Sequence, residues 1–229
     1  MSDPRGEYIY HVNDLYSCVQ GEGAMTGEPM ILVRLQGCPV GCAFCDTKET
    51  WPAAQSGEAG EVQTLHEALG TNGRWCRMTA PEIVRAVIDR APTPRFVLVT
   101  GGEPCMHRLE PLVDALHAAH FNCALETSGT YPVTGEFDWV TVSPKRDQPG
   151  GLPLDFSALN RAHEIKQVVG KPEDLERLAE LLRLLEKPPM VVSVQPVWGS
   201  SKALGLCYQA ALLHGWRLSL QTHKWIEAR

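Results

Sequence analysis

The 229-residue sequence lacks the long apolar runs and the dense positive charge that mark two large classes of protein. No stretch approaches the ~20 apolar residues of a transmembrane helix, and the polar residues 1–6 lack the apolar run of a signal peptide. We therefore expect a cytoplasmic protein with no membrane partner. The net charge is −6 and no dense run of lysine and arginine occurs, so we expect no nucleic-acid partner and a small substrate.

Paired cysteines are not expected either, because cytosolic thiols stay reduced. The chain nevertheless has eight cysteines. Cys38, Cys42 and Cys45 lie within eight residues in the pattern C-x₃-C-x₂-C, and the other five are scattered singly. This distribution indicates one metal-binding loop and five ordinary thiols.

A structural zinc site usually needs a second pair of ligands, and no second C-x₂-C or C-x₂-H pair follows the cysteine loop. Three thiolates can hold a [4Fe–4S] cluster and leave one iron open, whereas a fully ligated electron carrier uses four cysteines. Phe44 stands where the similar loops of radical S-adenosylmethionine (SAM) enzymes commonly carry an aromatic residue. The pattern favours a radical SAM enzyme. A zinc site, a simple electron carrier and a non-enzymatic metal-binding module are the alternatives.

Short apolar runs rich in β-branched residues alternate with helical patterns, which predicts an α/β fold. We predict one domain over residues 1–229, a partial (β/α) barrel of the radical SAM type with about six to seven mostly parallel strands. The candidate strands cover residues 30–35, 95–99, 122–126, 139–142, 164–168, 190–194 and 217–220. The candidate helices cover residues 79–90, 109–119, 172–186 and 201–214.

Residues 48–78 fit this alternation poorly, although a short helix is possible at 64–69. We expect an insertion beside the cysteine loop, either a lid or a solvated surface excursion.

Polar residues follow six of the candidate strands. The carboxyl ends of the strands form the catalytic face of parallel α/β barrels, so we expect these polar segments to share one pocket. They are the cysteine loop and residues 100–104, 126–129, 143–145, 195–196 and 221–223.

In the segment Thr100-Gly-Gly-Glu-Pro104 the glycines would let a ligand approach the backbone and Glu103 would supply an anion. The segment resembles the Gly-Gly-Glu turn that meets the ammonium group of SAM in radical SAM enzymes, although a turn between a strand and a helix often holds glycines. Lys145 could pair with a ligand carboxylate and Ser143 could donate a hydrogen bond. The equally weighted alternative is that Lys145 is a solvated loop lysine.

Arg34 interrupts an apolar strand. Alternation places Ile31, Val33 and Leu35 on one face of the strand and Leu32 with Arg34 on the other. A charge on a central strand is costly unless it is paired. Arg34 therefore either holds an acidic ligand through two hydrogen bonds or forms an internal salt bridge.

Gln20, Glu22 and Glu126 offer side-chain oxygens that could accept N–H groups from the edge of a heterocycle. The alternative is that they are ordinary polar turn residues. For His223 we expect a packed histidine near a strand end rather than a site residue.

Together these segments resemble the 7-carboxy-7-deazaguanine synthases, radical SAM enzymes of the deazapurine route to queuosine. The resemblance runs nearly end to end and is most specific over residues 19–23, 34–47, 99–105, 126–129, 142–145 and 220–224. It implies a carbon–nitrogen lyase that contracts the ring of 6-carboxy-5,6,7,8-tetrahydropterin to give 7-carboxy-7-deazaguanine and ammonia. It also implies an external one-electron reductant such as a flavodoxin, and a homodimer.

The resemblance implies three groups of ligand contacts besides the [4Fe–4S] cluster on the three loop cysteines. SAM would lie against Gly102, Glu103, Ser143, Pro144, Lys145 and Gln195. The pterin would lie against Val19, Gln20, Gly21, Arg34 and Thr100, with its carboxylate on Arg34. Thr47 would bind a Mg²⁺ ion that also contacts the substrate, which is a role that suits a hard cation with few protein ligands.

A glycyl-radical activating enzyme is a second candidate from within the radical SAM class. Such an enzyme shares the cysteine loop and the Gly-Gly-Glu turn but acts on a protein partner. Arg34 and residues 20–22 suit a small acidic heterocycle better.

Overall fold

The computed structural model describes residues 6–52, 60–69, 74–91, 93 and 95–226. Within these residues ten strands form one sheet. They are β1 (Ile9–Val19), β2 (Pro29–Leu35), β3 (Glu61–Val62), β4 (Trp75–Thr79), β5 (Phe96–Gly101), β6 (Asn122–Thr127), β7 (Trp139–Val142), β8 (Glu164–Val169), β9 (Val191–Pro196) and β10 (Arg217–Leu218). The order across the sheet is β10-β9-β8-β7-β6-β5-β2-β1-β4-β3.

Seven α-helices occur in the same described residues. They are α1 (Leu65–Ala68), α2 (Ala80–Arg90), α3 (Glu110–Ala118), α4 (Phe156–Asn160), α5 (Pro172–Leu184), α6 (Ser201–His214) and α7 (Thr222–Trp225). The four predicted helices and the short one near 64–69 are all present. None of the described helices is long and apolar enough to cross a membrane.

The parallel part of the sheet confirms the predicted fold class. Strand β2 and strands β5 through β10 pair side by side in parallel, and they are the seven strands expected from the sequence. The sheet ends at β10 and β3 rather than closing on itself. The fold is therefore a partial barrel whose parallel strands all end at the same rim.

The strand β1 was not expected. It pairs antiparallel with β2 on one side and with β4 on the other. A register shift between Val12 and Asp14 breaks the alternation of apolar and polar residues, and the polar side chains of His11 and Asn13 are buried beside Tyr10. The period of two that reveals a strand in a sequence is therefore lost here.

The segment 48–78 is only partly a surface feature. Its described residues include β3, α1 and most of β4, and β4 pairs with β1. Trp75 is 2% exposed and packs edge-on against His11. This part belongs to the sheet and not to a solvated excursion. The remaining candidates for a lid, residues 53–59 and 70–73, lie outside the described residues.

The two faces of the central strands differ in character. Ile31, Val33 and Leu35 enter the large core beneath the helices, as the predicted alternation requires. The opposite face begins with a small apolar cluster that includes Leu32 and Leu98. The same face becomes polar at Arg34, which lies two residues after Leu32 on β2. The polar end is the rim toward which all seven parallel strands run.

We predict that Trp75→Ala lowers the free energy of unfolding by about 3–5 kcal/mol, because it removes a large buried side chain from the β1–β4 edge. Urea unfolding measures the change. Trp225→Ala is the matched control, because Trp225 is 70% exposed and its removal should change stability by about 0.5 kcal/mol or less. An equally small effect for Trp75→Ala would contradict the packing of this edge.

Candidate active site

A cavity of about 710 Å³ opens at the carboxyl ends of the parallel strands. It brings together fifteen of the seventeen residues predicted for the site, all except Glu103 and Pro144. These fifteen are Val19, Gln20, Gly21, Glu22, Arg34, Cys38, Cys42, Cys45, Thr47, Thr100, Gly102, Glu126, Ser143, Lys145 and Gln195. The expectation that the polar strand ends share one pocket is therefore fulfilled by the geometry.

The cysteine loop follows β2 and presents three free thiols to this cavity. The Cys45 amide donates to the carbonyl of Cys42 at 3.0 Å, and the Trp51 indole N–H donates to Cys45 Sγ at 3.4 Å. Burial raises the pKa of the Cys42 thiol to about 11, although nearby Lys145 opposes the shift. A metal cluster must therefore displace the proton of the buried Cys42 thiol when it binds.

A fourth cysteine, Cys18, also lines the cavity but stands far from the loop. It faces Met30 across the β1–β2 pair. Met30 is five residues before the carboxyl end of β2 at Leu35, roughly 16 Å along a strand. The three loop thiols thus fit a [4Fe–4S] cluster that keeps one open iron.

The Gly-Gly-Glu turn is held against the cysteine loop by backbone hydrogen bonds. The Gly102 amide donates to the carbonyl of Leu35 at 3.0 Å, and the Glu103 amide donates to the carbonyl of Gly37 at 2.8 Å. A Cβ atom on Gly102 would overlap the Gly37 carbonyl oxygen and lie 2.7 Å from the Cβ of Cys38. The sequence suggested that these glycines admit a ligand. In the structure Gly102 lines the cavity, but its close neighbour is the cysteine loop.

The carboxylate of Glu103 does not reach the cavity, contrary to its predicted contact with a ligand. The residue is 1% exposed. Its oxygens accept from the Cys105 amide at 2.9 Å, the Thr127 hydroxyl at 2.7 Å and the Ser128 amide at 2.8 Å. Glu103 therefore joins the end of β5 to the end of β6. Pro144 is likewise absent from the lining and contacts a neighbouring cavity of about 320 Å³.

Lys145 is a half-buried cation and not a solvated loop residue. Its Nζ donates to the carbonyl of Ser143 at 2.9 Å and to the Ser143 hydroxyl, and it lies 5.7 Å from the centre of the Phe44 ring. Burial lowers the pKa of Lys145, and the charge of Lys166 acts in the same direction. The residue places positive charge beside the cysteine loop.

Arg34 lines the cavity next to Thr100, its neighbour in the β2–β5 pair. Within the described ranges no carboxylate forms a salt bridge with Arg34. The internal salt bridge that the sequence left open is therefore not found there, and the guanidinium is available to an acidic ligand.

Two carboxylates lie on the cavity wall around a lysine that the sequence reading missed. Lys166 on β8 places its Nζ 2.7 Å from Glu22 Oε2 and 3.1 Å from Glu126 Oε1. Gln221 donates to Glu22 Oε1 at 2.8 Å, and Gln20 donates to Glu126 Oε1 at 3.2 Å. The sequence contained a signal for Lys166, because a lysine within the candidate strand 164–168 raises the same question of a buried charge as Arg34 does.

Gln195 and His223 both line the cavity, and both side chains also contact other parts of the protein. Gln195 donates to Glu22 Oε2 at 3.1 Å and accepts from the Ser219 hydroxyl at 2.8 Å, so its side chain is bound within the carboxylate network.

His223 lines the cavity. A Cβ atom on Gly21 would clash with its imidazole, which shows that the ring packs directly on the Gly21 backbone.

Thr47 lines the cavity just after the last cysteine, with its hydroxyl 3.7 Å from Cys45 Sγ. Its carbonyl accepts from the Thr50 hydroxyl at 2.7 Å, which closes a short turn. The preceding Asp46 pairs with Lys224 at 2.9 Å. The Thr47 hydroxyl is thus an oxygen that faces the cavity beside the thiols.

Residues 32–187 match the model of the radical SAM superfamily. The chain therefore belongs to this class of enzymes, which implies a [4Fe–4S] cluster and SAM. It is 42% identical to the 7-carboxy-7-deazaguanine synthase of Escherichia coli K12 over 95% of this chain and 98% of that protein. It is 37% identical to the synthase of Synechocystis sp. PCC 6803 over 96% and 94% of the two chains.

A solved structure, described as QueE from Escherichia coli, superposes with a TM-score of 0.87 at 42% identity and covers 94% of this chain and 95% of that one. Within the radical SAM enzymes, the chain belongs to the 7-carboxy-7-deazaguanine synthase family. The resemblance inferred from the motifs is confirmed.

We predict that Gly102→Ala lowers the iron and sulfide content of the purified protein at least twofold, because the added methyl group must displace Gly37 and Cys38. Iron and sulfide analysis measures the loss, and circular dichroism checks that the fold remains. Gly205→Ala is the control, since a Cβ at that helical position meets no atom within 4 Å. Full cluster content in Gly102→Ala would contradict the close contact.

Proposed function

We propose that this chain is a 7-carboxy-7-deazaguanine synthase that converts 6-carboxy-5,6,7,8-tetrahydropterin to 7-carboxy-7-deazaguanine and ammonia with the help of Mg²⁺. The observation that carries the proposal is that one cavity holds the acceptors Glu22 and Glu126 together with Arg34, whose guanidinium forms no salt bridge within the described residues. An acidic heterocycle with N–H groups on its ring matches both features.

The cluster and SAM, when bound, would supply the one-electron chemistry that starts the reaction. The chain itself would hold the reactants. Arg34 would bind the pterin carboxylate through two hydrogen bonds. Glu22 and Glu126 would accept N–H groups of the ring, with Gln20, Gly21, Val19 and Thr100 as neighbours on the cavity wall.

The SAM side of the cavity would consist of Gly102, Ser143 and Lys145. Lys145 is the one cation among the predicted SAM contacts, its Nζ lies 5.7 Å from the centre of the Phe44 ring in the cysteine loop, and it suits the SAM carboxylate. Glu103 would act by holding the ends of β5 and β6 in place. The electron would come from an external reductant such as a flavodoxin, and we retain the expectation of a single domain and a homodimer.

Thr47 would ligate the Mg²⁺ through its hydroxyl, with water and substrate oxygens as the other ligands. Mg²⁺ prefers oxygen ligands and keeps several waters, so one protein oxygen is an acceptable contribution. The cation would screen the pterin carboxylate from the nearby thiolates.

We predict that anaerobic, reconstituted protein supplied with SAM, a reductant, Mg²⁺ and carboxytetrahydropterin forms carboxydeazaguanine and ammonia, detected by mass spectrometry. Protein that holds about four irons and four sulfides per chain and still forms no product would reject the proposed function. One zinc and no sulfide would reject the whole class.

We predict that Arg34→Ala raises the Kd for the pterin roughly 30- to 150-fold, equivalent to about 2–3 kcal/mol, because a charge-assisted contact is lost. The Kd for SAM should stay within about twofold. Arg183→Ala, an exposed position on α5, is the control. Equal losses for SAM and pterin would assign Arg34 a folding role instead.

We predict that Thr47→Ala raises the Mg²⁺ concentration needed for half-maximal activity by roughly 10- to 100-fold, while Thr47→Ser stays close to the parent protein. The serine keeps the hydroxyl and removes only a methyl group. Unchanged Mg²⁺ dependence in Thr47→Ala would show that the metal is held elsewhere.

A further inference from the structure

Lys166 is the most enclosed cation of the cavity wall, and nothing in the reaction as described requires it. Its side chain is 4% exposed. It lies on β8, yet its Nζ contacts Glu22, which follows β1, and Glu126, which lies on β6 two positions away in the sheet. One ammonium group therefore joins three separate segments of the chain at the substrate side of the site.

Within the described residues, Lys166 is the one cation that forms a salt bridge with Glu22 or Glu126. Gln195 and Gln221 contribute only neutral amides to Glu22. Glu164, two residues before Lys166, is buried and accepts from the Ala24 amide and from the hydroxyls of Thr141 and Ser193.

More distant charges face the same network. Lys145 from the loop after β7 adds positive charge, and its own pKa responds to Lys166, Glu22 and Glu126. Arg34 from β2 and His223 from α7 stand on the same cavity wall. Among the groups in direct contact, two carboxylates face one ammonium group, so Glu22, Glu126 and Lys166 together carry a net charge of −1.

Two carboxylates that contact one nitrogen atom lie close to each other. Without the cation, their repulsion and their burial would favour a shared proton, and one carboxyl group would become a hydrogen-bond donor. Burial by itself would raise the pKa of Glu22, but the charge of Lys166 and the hydrogen bonds from Lys166, Gln221 and Gln195 lower it to about 2. In the reverse direction, burial would lower the pKa of Lys166, and Glu126 and Glu22 raise it instead.

We propose that Lys166 is a positioning residue for substrate selection: it holds Glu22 and Glu126 together as two ionised acceptors, so that the cavity selects a ring edge that presents only N–H donors. This inference rests on the proposed function for the identity of the ring. It assigns the selectivity to the cation behind the carboxylates, and not to the carboxylates alone.

The test is Lys166→Met, which removes the charge at similar length. Infrared spectra at neutral pH should show a protonated-carboxyl band in this variant that the parent protein lacks, and the band should disappear when Glu126→Gln or Glu22→Gln is added. Lys166→Arg, which keeps a cation, should lack the band. Lys202→Met, at an exposed position on α6, is the matched control and should match the parent.

Pterin binding supplies the second readout. In the parent protein Lys166 contacts both carboxylates and keeps the pKa of Glu22 low, so affinity from about pH 6 to about pH 9 should be nearly flat. In Lys166→Met the shared proton raises one carboxyl pKa, so affinity should be at least tenfold weaker at the acid end and recover as rising pH removes that proton. SAM affinity should not change. A purely structural role would weaken binding at every pH.

The outcomes separate the two proposals. Parent protein that does not bind the pterin contradicts the proposed function, and the infrared comparison still decides the role of Lys166. A Lys166→Met variant with no new carboxyl band overturns that role and leaves the function intact. If Lys166→Met does not fold, Lys166→Gln replaces it. A protonated band from Glu22 or Glu126 in the parent protein at neutral pH would also overturn the inference.

Discussion

The contact between the cysteine loop and the end of β5 is the constraint on which the rest of the site depends. The parallel pairing of β2 with β5 is extended by two backbone hydrogen bonds. The Gly102 amide donates to the carbonyl of Leu35 at the end of β2, and the Glu103 amide donates to the carbonyl of Gly37 in the cysteine loop. Only a residue without a side chain fits where Gly102 meets that loop. The carboxylate of Glu103 then extends the same connection to β6. The position of the thiols is thus set by three neighbouring strands and not by the loop alone.

The opposite part of the cavity depends on buried charge. Glu22, Glu126 and Lys166 compensate one another. Gln195 donates to the same Glu22 oxygen as Lys166, and Gln221 donates to the other oxygen. A buried ion pair is costly to desolvate and contributes little net stability compared with apolar packing. In the proposed function the network has a different role, because Glu22 and Glu126 accept N–H groups of the pterin ring. The cavity has cations at Arg34 and Lys145, thiols at the loop, and a negative surface around Lys166.

The sequence was sufficient for the parallel strands and for most of the residues that line the cavity, because the polar ends of parallel strands must meet at one rim. It was insufficient for β1, where the register shift after Val12 and the burial of His11 remove the alternation. It did not reveal that the Glu103 carboxylate is bonded within the protein or that Gly102 packs against Gly37 and Cys38, because a motif does not show which neighbours its residues contact. Lys166 was missed because its partners lie 40 and 144 residues away in the chain.

The central claim is that one cavity holds a cluster on three thiols, SAM beside Lys145, and an acidic pterin between Arg34 and the carboxylates of Glu22 and Glu126. An anaerobic crystal structure of the reconstituted protein with SAM and carboxytetrahydropterin measures this directly. We predict density for the pterin with its carboxylate on Arg34 and its ring N–H groups on the two glutamates. A pterin bound outside this cavity, or a cluster with a fourth protein ligand, would contradict the account.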